Sequence, residues 1–258
     1  MNDILEFLNS HASVRNFTDD PISEEQEHII LTTAERSPTS SNLHAYSIIS
    51  VRDRSTKKSL SELSGGQQHV ADSALFLIFC ADLYRLSRLT EDRGYPFSGE
   101  YTESFIIATV DAALAGGRAL QAAQALGLGG VMVGGIRNEP KAVSNLLKLP
   151  RLVYPVFGMS LGKPVRQPTI KPRLPLAGLC FKERYDDSAF ESAVAEYDRT
   201  IDEVGYLKGH QVEAELYPNF KGLYSWSEHS ARRMASKKRA VVRPHLLSFL
   251  NGRGFLRK

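Results

Sequence analysis

The chain has 258 residues, 42% of them hydrophobic, enough to bury a full core, and 1–258 reads as a single domain. Lysine and arginine total 32 against 29 acidic residues, so a net charge of +3 offers no basis for binding nucleic acid. Two cysteines, Cys80 in an apolar run and Cys180 far from it, make neither a disulfide framework nor a metal cluster and fit a reducing, cytoplasmic compartment.

The N-terminus carries Asp3 and Glu6 where a signal peptide would be basic, so export is not expected. Ser23 opens a capping box with Gln26, and Ile22 serves as its staple. A helix over 24–36 is therefore expected to bury Ile29, Ile30 and Thr33 before Pro38 blocks it. The stretch 37–47, SPTSSNLHAYS, is dense in hydroxyl and amide groups, which satisfy loop backbone or grip a polar ligand. Two β-rich runs follow, 46–51 and 74–80, with a short helix ending at Gly65 between them. The second is apolar on both faces, as a central strand is. The apolar run 74–81 is far short of the roughly 20 residues a membrane helix needs.

Over 103–126 the pattern is helical, with Phe105, Ile106, Ile107, Val110, Leu114, Leu120 and Leu126 apolar and Gly127 as the stop. Asp111, Arg118, Gln121 and Gln124 exclude a membrane span. Ala112, Ala113, Ala115, Gly116 and Gly117 allow another backbone to come close, which suits a central helix at a subunit interface. Strands over 131–133 and 153–160 are divided by a helix that Asn138 caps and Pro140 opens. The C-terminal extension, 175–258, contains an amphipathic helix carrying Ala189, Phe190, Ala193, Val194, Tyr197, Ile201 and Val204 and ending near Gly205. It closes on a basic tail of nine Lys or Arg after Glu228, read as a solvated helix face in preference to an anion site.

Residues 158–162, GMSLG, spell the serine hydrolase elbow, GxSxG. The elbow needs a helix directly after the turn, and KPVRQP, with Pro164 and Pro168, opposes one; Ser160 is better read as the end of a buried strand. No GxGxxG announces a dinucleotide-binding turn, and the seven histidines show no metal-ligand spacing.

HASVRNF, residues 11–17, places Ser13 and Arg15 two apart in an extended segment, where both side chains can meet one anion; in isolation, a surface ion pair and a turn serine explain the segment better. HASVRNF, SPTSSNLHAYS, GGQQHV, GLGGVMVGGIRN and KPRLP, however, occur over 4–175 in the order and spacing of the nitroreductase and flavin reductase family. The chain resembles most its larger-subunit branch, the NADPH-dependent oxygen-insensitive nitroreductases.

The resemblance implies an α+β fold, a mixed central sheet wrapped by helices, in an intertwined homodimer with FMN at the interface. It implies that Lys171 and Arg173 hold the FMN phosphate together with His11 and Ser13, while Arg15 lies at the pyrimidine edge. A fixed cation there favours the reduced ring. Thr39, Ser40, Ser41 and Asn42 correspond to the loop along ribityl and ring edge, Gln67 to an amide reaching the ring, and Val133, Gly134 and Gly135 to backbone near N5. The implied activity is ping-pong: NADPH or NADH reduces the flavin, and a nitroaromatic, quinone or free flavin then takes two electrons. No side chain acts as a dedicated catalytic acid. A serine hydrolase at Ser160 and a non-catalytic flavin-binding module are the alternatives.

Three departures from the family stand out. Ala12 replaces a usual arginine, and His44 replaces a commoner glutamine. The segment 205–225 is longer than expected and lacks the arginine loop used for the NADPH 2′-phosphate, with Lys208 and Lys221 beside Glu213 and Glu215.

Overall fold

The computed structural model describes residues 3–166 and 169–258. In chain order the elements are α1 (Asp3–Asn9), α2 (Glu24–Glu35), β1 (Tyr46–Val51), α3 (Arg54–Leu63), α4 (Gln68–Asp72), β2 (Leu75–Asp82), α5 (Tyr84–Asp92) and α6 (Thr102–Ala125). Then follow β3 (Gly129–Val133), α7 (Pro140–Leu146), β4 (Val153–Gly162), α8 (Phe190–Glu203), α9 (Trp226–Ala235), α10 (Arg239–Val242) and α11 (Leu246–Arg253). They form two units, Met1–Thr169 with Arg243–Lys258, and Ile170–Val242.

The first unit is built on a sheet of order β1-β2-β4-β3. Its α+β arrangement is as expected, but every described pairing is antiparallel rather than mixed. β2 is buried at all positions, which explains its uninterrupted apolar run. Its alternation feeds two cores. Leu75, Leu77, Phe79 and Ala81 pack with α2 and α6, whereas Phe76, Ile78 and Cys80 pack with Leu60 of α3, Val70 of α4 and Val143 of α7. Pro155 is tolerated in β4 because the register shifts between Phe79 and Cys80 at that point, and Arg137 donates to the carbonyl of Val156 beside it.

The capping box of α2 forms as read from sequence: Ser23 Oγ accepts from Gln26 N, and Gln26 Oε1 accepts from Ser23 N, both at 3.0 Å. The buried residues are Ile30 and Ala34, one turn apart, so Ile29 is exposed rather than in the core and Thr33 is only half-buried. On α6 it is the small residues that take the core. Its buried face is Ala108, Asp111, Ala112, Ala115, Gly116 and Ala119, while Ile106, Val110 and Leu114 are 48%, 47% and 41% exposed. The reason lies in the sheet, where Phe79 and Phe157 stack with ring centroids 5.1 Å apart and fill the space. A Cβ on Gly116 would overlap the Phe157 ring. Asn138 does not cap α7; Glu139 occupies the cap position, and Asn138 Oδ1 instead accepts from Arg243 Nε at 2.9 Å.

In the second unit, Ser227 of α9 bonds Asp198 of α8 through both backbone and hydroxyl, and Trp226 meets Tyr197 edge-on at 5.2 Å. Arg232 is 3% exposed, with its guanidinium 4.2, 4.7 and 5.1 Å from the rings of Tyr217, Phe220 and Tyr224 and its Nε on Glu228 at 2.6 Å. The basic tail is therefore a solvated face only in part: Arg232 is buried and Arg243 and Arg253 are half-buried, whereas Arg233, Lys237, Lys238, Arg239, Arg257 and Lys258 are exposed. Arg232 and Lys238 have partners in this unit, as do Arg243, Arg253 and Lys258 in the other. No helix among the described residues is long and apolar enough to cross a membrane, and no described group of His, Cys, Asp and Glu is placed to hold a metal.

Candidate functional site

The segment carrying His11, Ser13 and Arg15 is fixed by its backbone. Val14 N donates to Gly130 O at 3.0 Å, Thr18 N to Lys163 O at 2.9 Å, and Val165 N to Asn16 O at 3.2 Å. This attaches an extended strip to the sheet end, where residues alternate sides. Ala12 and Val14 are buried, Ser13 is half-buried and Arg15 is exposed. Gly129 permits the close approach, since a Cβ there would come 2.6 Å from Val14 Cγ2. His11 turns toward α6, with Nδ1 3.4 Å from Gln124 Oε1. Arg15 enters no ion pair among the described residues and lines a cleft of about 750 Å³ with Gly66 and Gln68.

The serine-rich loop is held by residues that sequence reasoning did not assign to it. Ser41, Asn42 and His44 have φ of 47°, 57° and 50°, a region costly for side-chain-bearing residues. Asp111, 1% exposed on α6, accepts from Ser40 N at 3.1 Å and Ala45 N at 3.0 Å and so clasps both ends of the loop. Arg85 of α5 adds donors to the carbonyls of His44 and Tyr46 at 2.8 and 2.6 Å. With its backbone held this way, the loop leaves Ser40, Ser41, Asn42 and His44 exposed and Thr39 half-buried. The available signal for Asp111 was an acid on the alanine face of the central helix, where an uncompensated charge has no place.

Gln67 belongs to a different cluster. Its Nε2 donates to Ser64 O at 2.8 Å, and its Oε1 lies 3.1 Å from His69 Nε2. His69 Nδ1 is in turn 3.1 Å from Ser160 Oγ. A Cβ on Gly135 would overlap both the Gln67 amide nitrogen and the Ser64 carbonyl, so this glycine is required by a side chain of the protein itself. Val133 beside it is buried, and Gly134 half-buried. Burial first, then the positive charge of Arg15, holds the His69 imidazole below its ordinary pKa. Arg15, Gln67 and Gly135 are thereby brought into one neighbourhood, through a histidine not assigned to the site from sequence. The anchors of the serine-rich loop lie instead on α5 and α6.

Ser160 has a hydrolase-like distance to His69, but it is fully buried in β4, paired with Phe76 and Val131. Pro164 follows in a bridge to Phe17, so the elbow's helix is not formed there. Pro168 lies outside the described residues.

In the second unit, Lys171 Nζ lies 3.9 Å from the centre of the Tyr206 ring, and exposed Arg173 donates to the carbonyls of Lys171 and Pro172 at 2.9 and 3.2 Å. Tyr197 donates to Pro172 O at 3.1 Å, which attaches the KPR backbone to α8. The long segment 205–225 wraps the Arg232 side chain through Tyr217, Phe220 and Tyr224 and leaves Lys208 and Lys221 exposed.

The family model described as "Nitroreductase family" matches residues 8–163, and "Nitroreductase family, C-terminal domain" matches 171–258. The chain is 37% identical to an oxygen-insensitive NADPH nitroreductase of Salmonella typhimurium, covering 99% of both. It is 34% identical to an FMN reductase [NAD(P)H] of Bacillus subtilis over 99% of this chain and 98% of the other. Among solved structures, an NADPH:FMN oxidoreductase from Vibrio harveyi complexed with NAD+ superposes with a TM-score of 0.86 at 31% identity, over 100% of both chains. The chain belongs to the nitroreductase family.

Proposed function

We propose that this protein is an FMN-dependent NAD(P)H oxidoreductase that reduces nitroaromatics, quinones or free flavin by two electrons. The observation that carries the reading is Arg15: a cation without an ion partner among the described residues, pointing outward from a backbone strip fixed at three hydrogen bonds, in the neighbourhood of Gln67 and Gly135. Such a fixed charge suits an anionic ligand edge, and the donor chemistry fits FMN: cations and hydroxyls for a dianionic phosphate, amides and exposed hydroxyls for a polar ribityl and ring edge. The serine hydrolase alternative is set aside, because a nucleophile must reach its substrate and Ser160 does not reach solvent.

When bound, FMN supplies hydride acceptance and delivery at N5. The chain's part is positional and electrostatic. His11, Ser13, Lys171 and Arg173 are assigned to the phosphate, on the strength of their motifs and of donors suited to an anion. Arg15 is assigned to the pyrimidine edge, where its charge favours the reduced ring. Thr39, Ser40, Ser41 and Asn42 line the ribityl side, Gln67 donates to the ring, and Val133, Gly134 and Gly135 supply close backbone. The whole chain, 1–258, serves as one FMN-binding module.

The exposed stripe of Ile106, Val110 and Leu114 on α6, an apolar face without cover in one chain, supports a homodimer packed through this helix. The free thiols Cys80 and Cys180 support a cytoplasmic setting. The direct test is the purified protein under anaerobic conditions. It is expected to be yellow and to bleach on addition of NADPH or NADH, then regain colour with a nitroaromatic or quinone. A yellow protein that neither nucleotide bleaches would favour the non-catalytic flavin-binding alternative, and a colourless protein that cannot be loaded with FMN would refute both.

A further inference from the structure

A single backbone carbonyl determines the polarity of the chain of hydrogen bonds that ends in the sheet. Ser64 O can only accept, so the Gln67 atom 2.8 Å from it is the NH₂ nitrogen, which puts the Gln67 carbonyl oxygen toward His69. His69 must then donate from Nε2. The imidazole is half-buried beside Arg15, surroundings that favour a neutral ring with one proton, so Nδ1 is left as a lone pair. Ser160 accordingly donates its hydroxyl proton to Nδ1 across 3.1 Å. Ser160 is fully buried in β4 and paired on both sides, with Phe76 and Val131, so the relay starts from a residue held within the sheet. At the other end, Gly135 closes over the amide so tightly that a Cβ would collide with it. Every hydrogen-bonding atom of the Gln67 amide is thus committed except its second N–H.

We propose that His69 and Ser160 are positioning residues whose relay fixes the free N–H of Gln67 as an oriented donor to the bound flavin ring. This rests on the assignment of Gln67 to the ring made above. It gives the GMSLG serine and the GGQQHV histidine, which the flavin motif otherwise leaves without a role, one shared function. It also explains why an exposed-type residue, glutamine, sits with its oxygen turned inward: an amide free to flip would present the ring with a carbonyl as often as a donor, whereas this one presents only the donor.

The test uses the FMN-loaded holoenzyme and reads the midpoint potential and visible spectrum of the flavin in Gln67→Ala, His69→Phe, His69→Gln and Ser160→Ala. The expected result is a shift in Gln67→Ala, a shift of the same sign and at least half that size in His69→Phe, and a smaller one in Ser160→Ala. His69→Gln, whose amide restores a donor to Gln67 Oε1, should return the potential toward that of the unmodified protein. The His69→Phe/Gln67→Ala double variant should shift no further than Gln67→Ala, since the relay has nothing left to orient. If Gln67→Ala moves the flavin but His69→Phe and Ser160→Ala do not, the relay is overturned while the flavin assignment stands. If Gln67→Ala itself moves neither readout, the assignment of Gln67 falls and the relay with it. Should His69→Phe fail to fold, His69→Leu, which likewise lacks a donor, and Ser160→Ala decide the question by the same criteria.

Discussion

Replacing Asp111 tests whether the serine-rich loop is shaped from beneath, by α6, rather than by its own hydroxyls. The carboxylate accepts from Ser40 N and Ala45 N at 3.1 and 3.0 Å while itself 1% exposed. Hydrogen bonds to a charged group contribute about 1.5–3 kcal/mol, and a buried donor left unpaired costs about 1–3 kcal/mol. Asp111→Asn keeps one acceptor but turns an NH₂ toward the other backbone N–H, so a loss of about 2–3 kcal/mol is expected on that scale. Asp111→Ala removes both acceptors, for about 3–5 kcal/mol. The loop itself also stores cost, because Ser41, Asn42 and His44 hold positive φ at roughly 1 kcal/mol or more each. Released from Asp111, the backbone is expected to relax toward commoner conformations, although Arg85 still holds the carbonyls of His44 and Tyr46. Urea midpoints measure the global loss, and limited chymotrypsin digestion reads the local one at Leu43. An Asp111→Asn protein with an unchanged midpoint and no new cleavage at this loop would refute the reasoning.

Lowered His69 basicity has a sign that can be checked. The unfolded imidazole takes up a proton below about pH 6.5 whereas the folded one resists, so folding stability contributed here is complete above that pH and falls as pH drops through the folded value. Burial and Arg15 oppose the charge while Asp72 favours it, so urea midpoints measured downward from pH 7 should decline less steeply in His69→Gln; parallel curves would contradict this. Burial raises the Cys80 thiol to about 12, whereas Cys180 is exposed, so a thiol reagent should label one cysteine in the native protein and both after unfolding. Rapid native labelling of Cys80 would contradict its placement. On α6, Val110→Glu with Leu114→Glu puts two charges in an exposed apolar stripe, so light scattering should show a monomer if this face joins two copies, and a retained dimer would move the interface elsewhere. Arg253→Ala strips donors from the carbonyls of Leu149 and Val153 at 2.8 and 3.0 Å and is expected to cost about 2–4 kcal/mol in urea unfolding; a loss below about 0.5 kcal/mol would show these bonds to be replaceable by water.

What could be read from sequence was whatever local chemistry decides. The α2 capping box needs only Ser23 and Gln26, three residues apart, and the apolar run of β2 needs only burial on both faces. The outward side of Ser13 and Arg15 followed from strand alternation once the segment was read as extended. What could not be read depends on partners distant in sequence. The apolar pattern of α6 did not say which face would meet the sheet: the volume there is taken by Phe79 and Phe157, distant in sequence from each other, so the small residues face the core and Ile106, Val110 and Leu114 are exposed. Charge clustering suggested a solvated tail, yet Arg232 is enclosed by three rings of the segment 205–225, and no periodicity within the tail encodes that enclosure.

Gly135 shows the limit most clearly. A glycine beside a cofactor motif invites the inference that a ligand needs its bare Cα. The atoms a Cβ would strike, however, are the Gln67 amide nitrogen and the Ser64 carbonyl. The glycine's immediate obligation is to the protein, and any ligand benefits through the amide it seats. The reason that position must be glycine is therefore separable from FMN: Gly135→Ala should unseat Gln67 and lower the urea midpoint of flavin-free protein as well as of the loaded form. A destabilisation seen only with flavin bound would return the glycine to the ligand and count against the close packing described here.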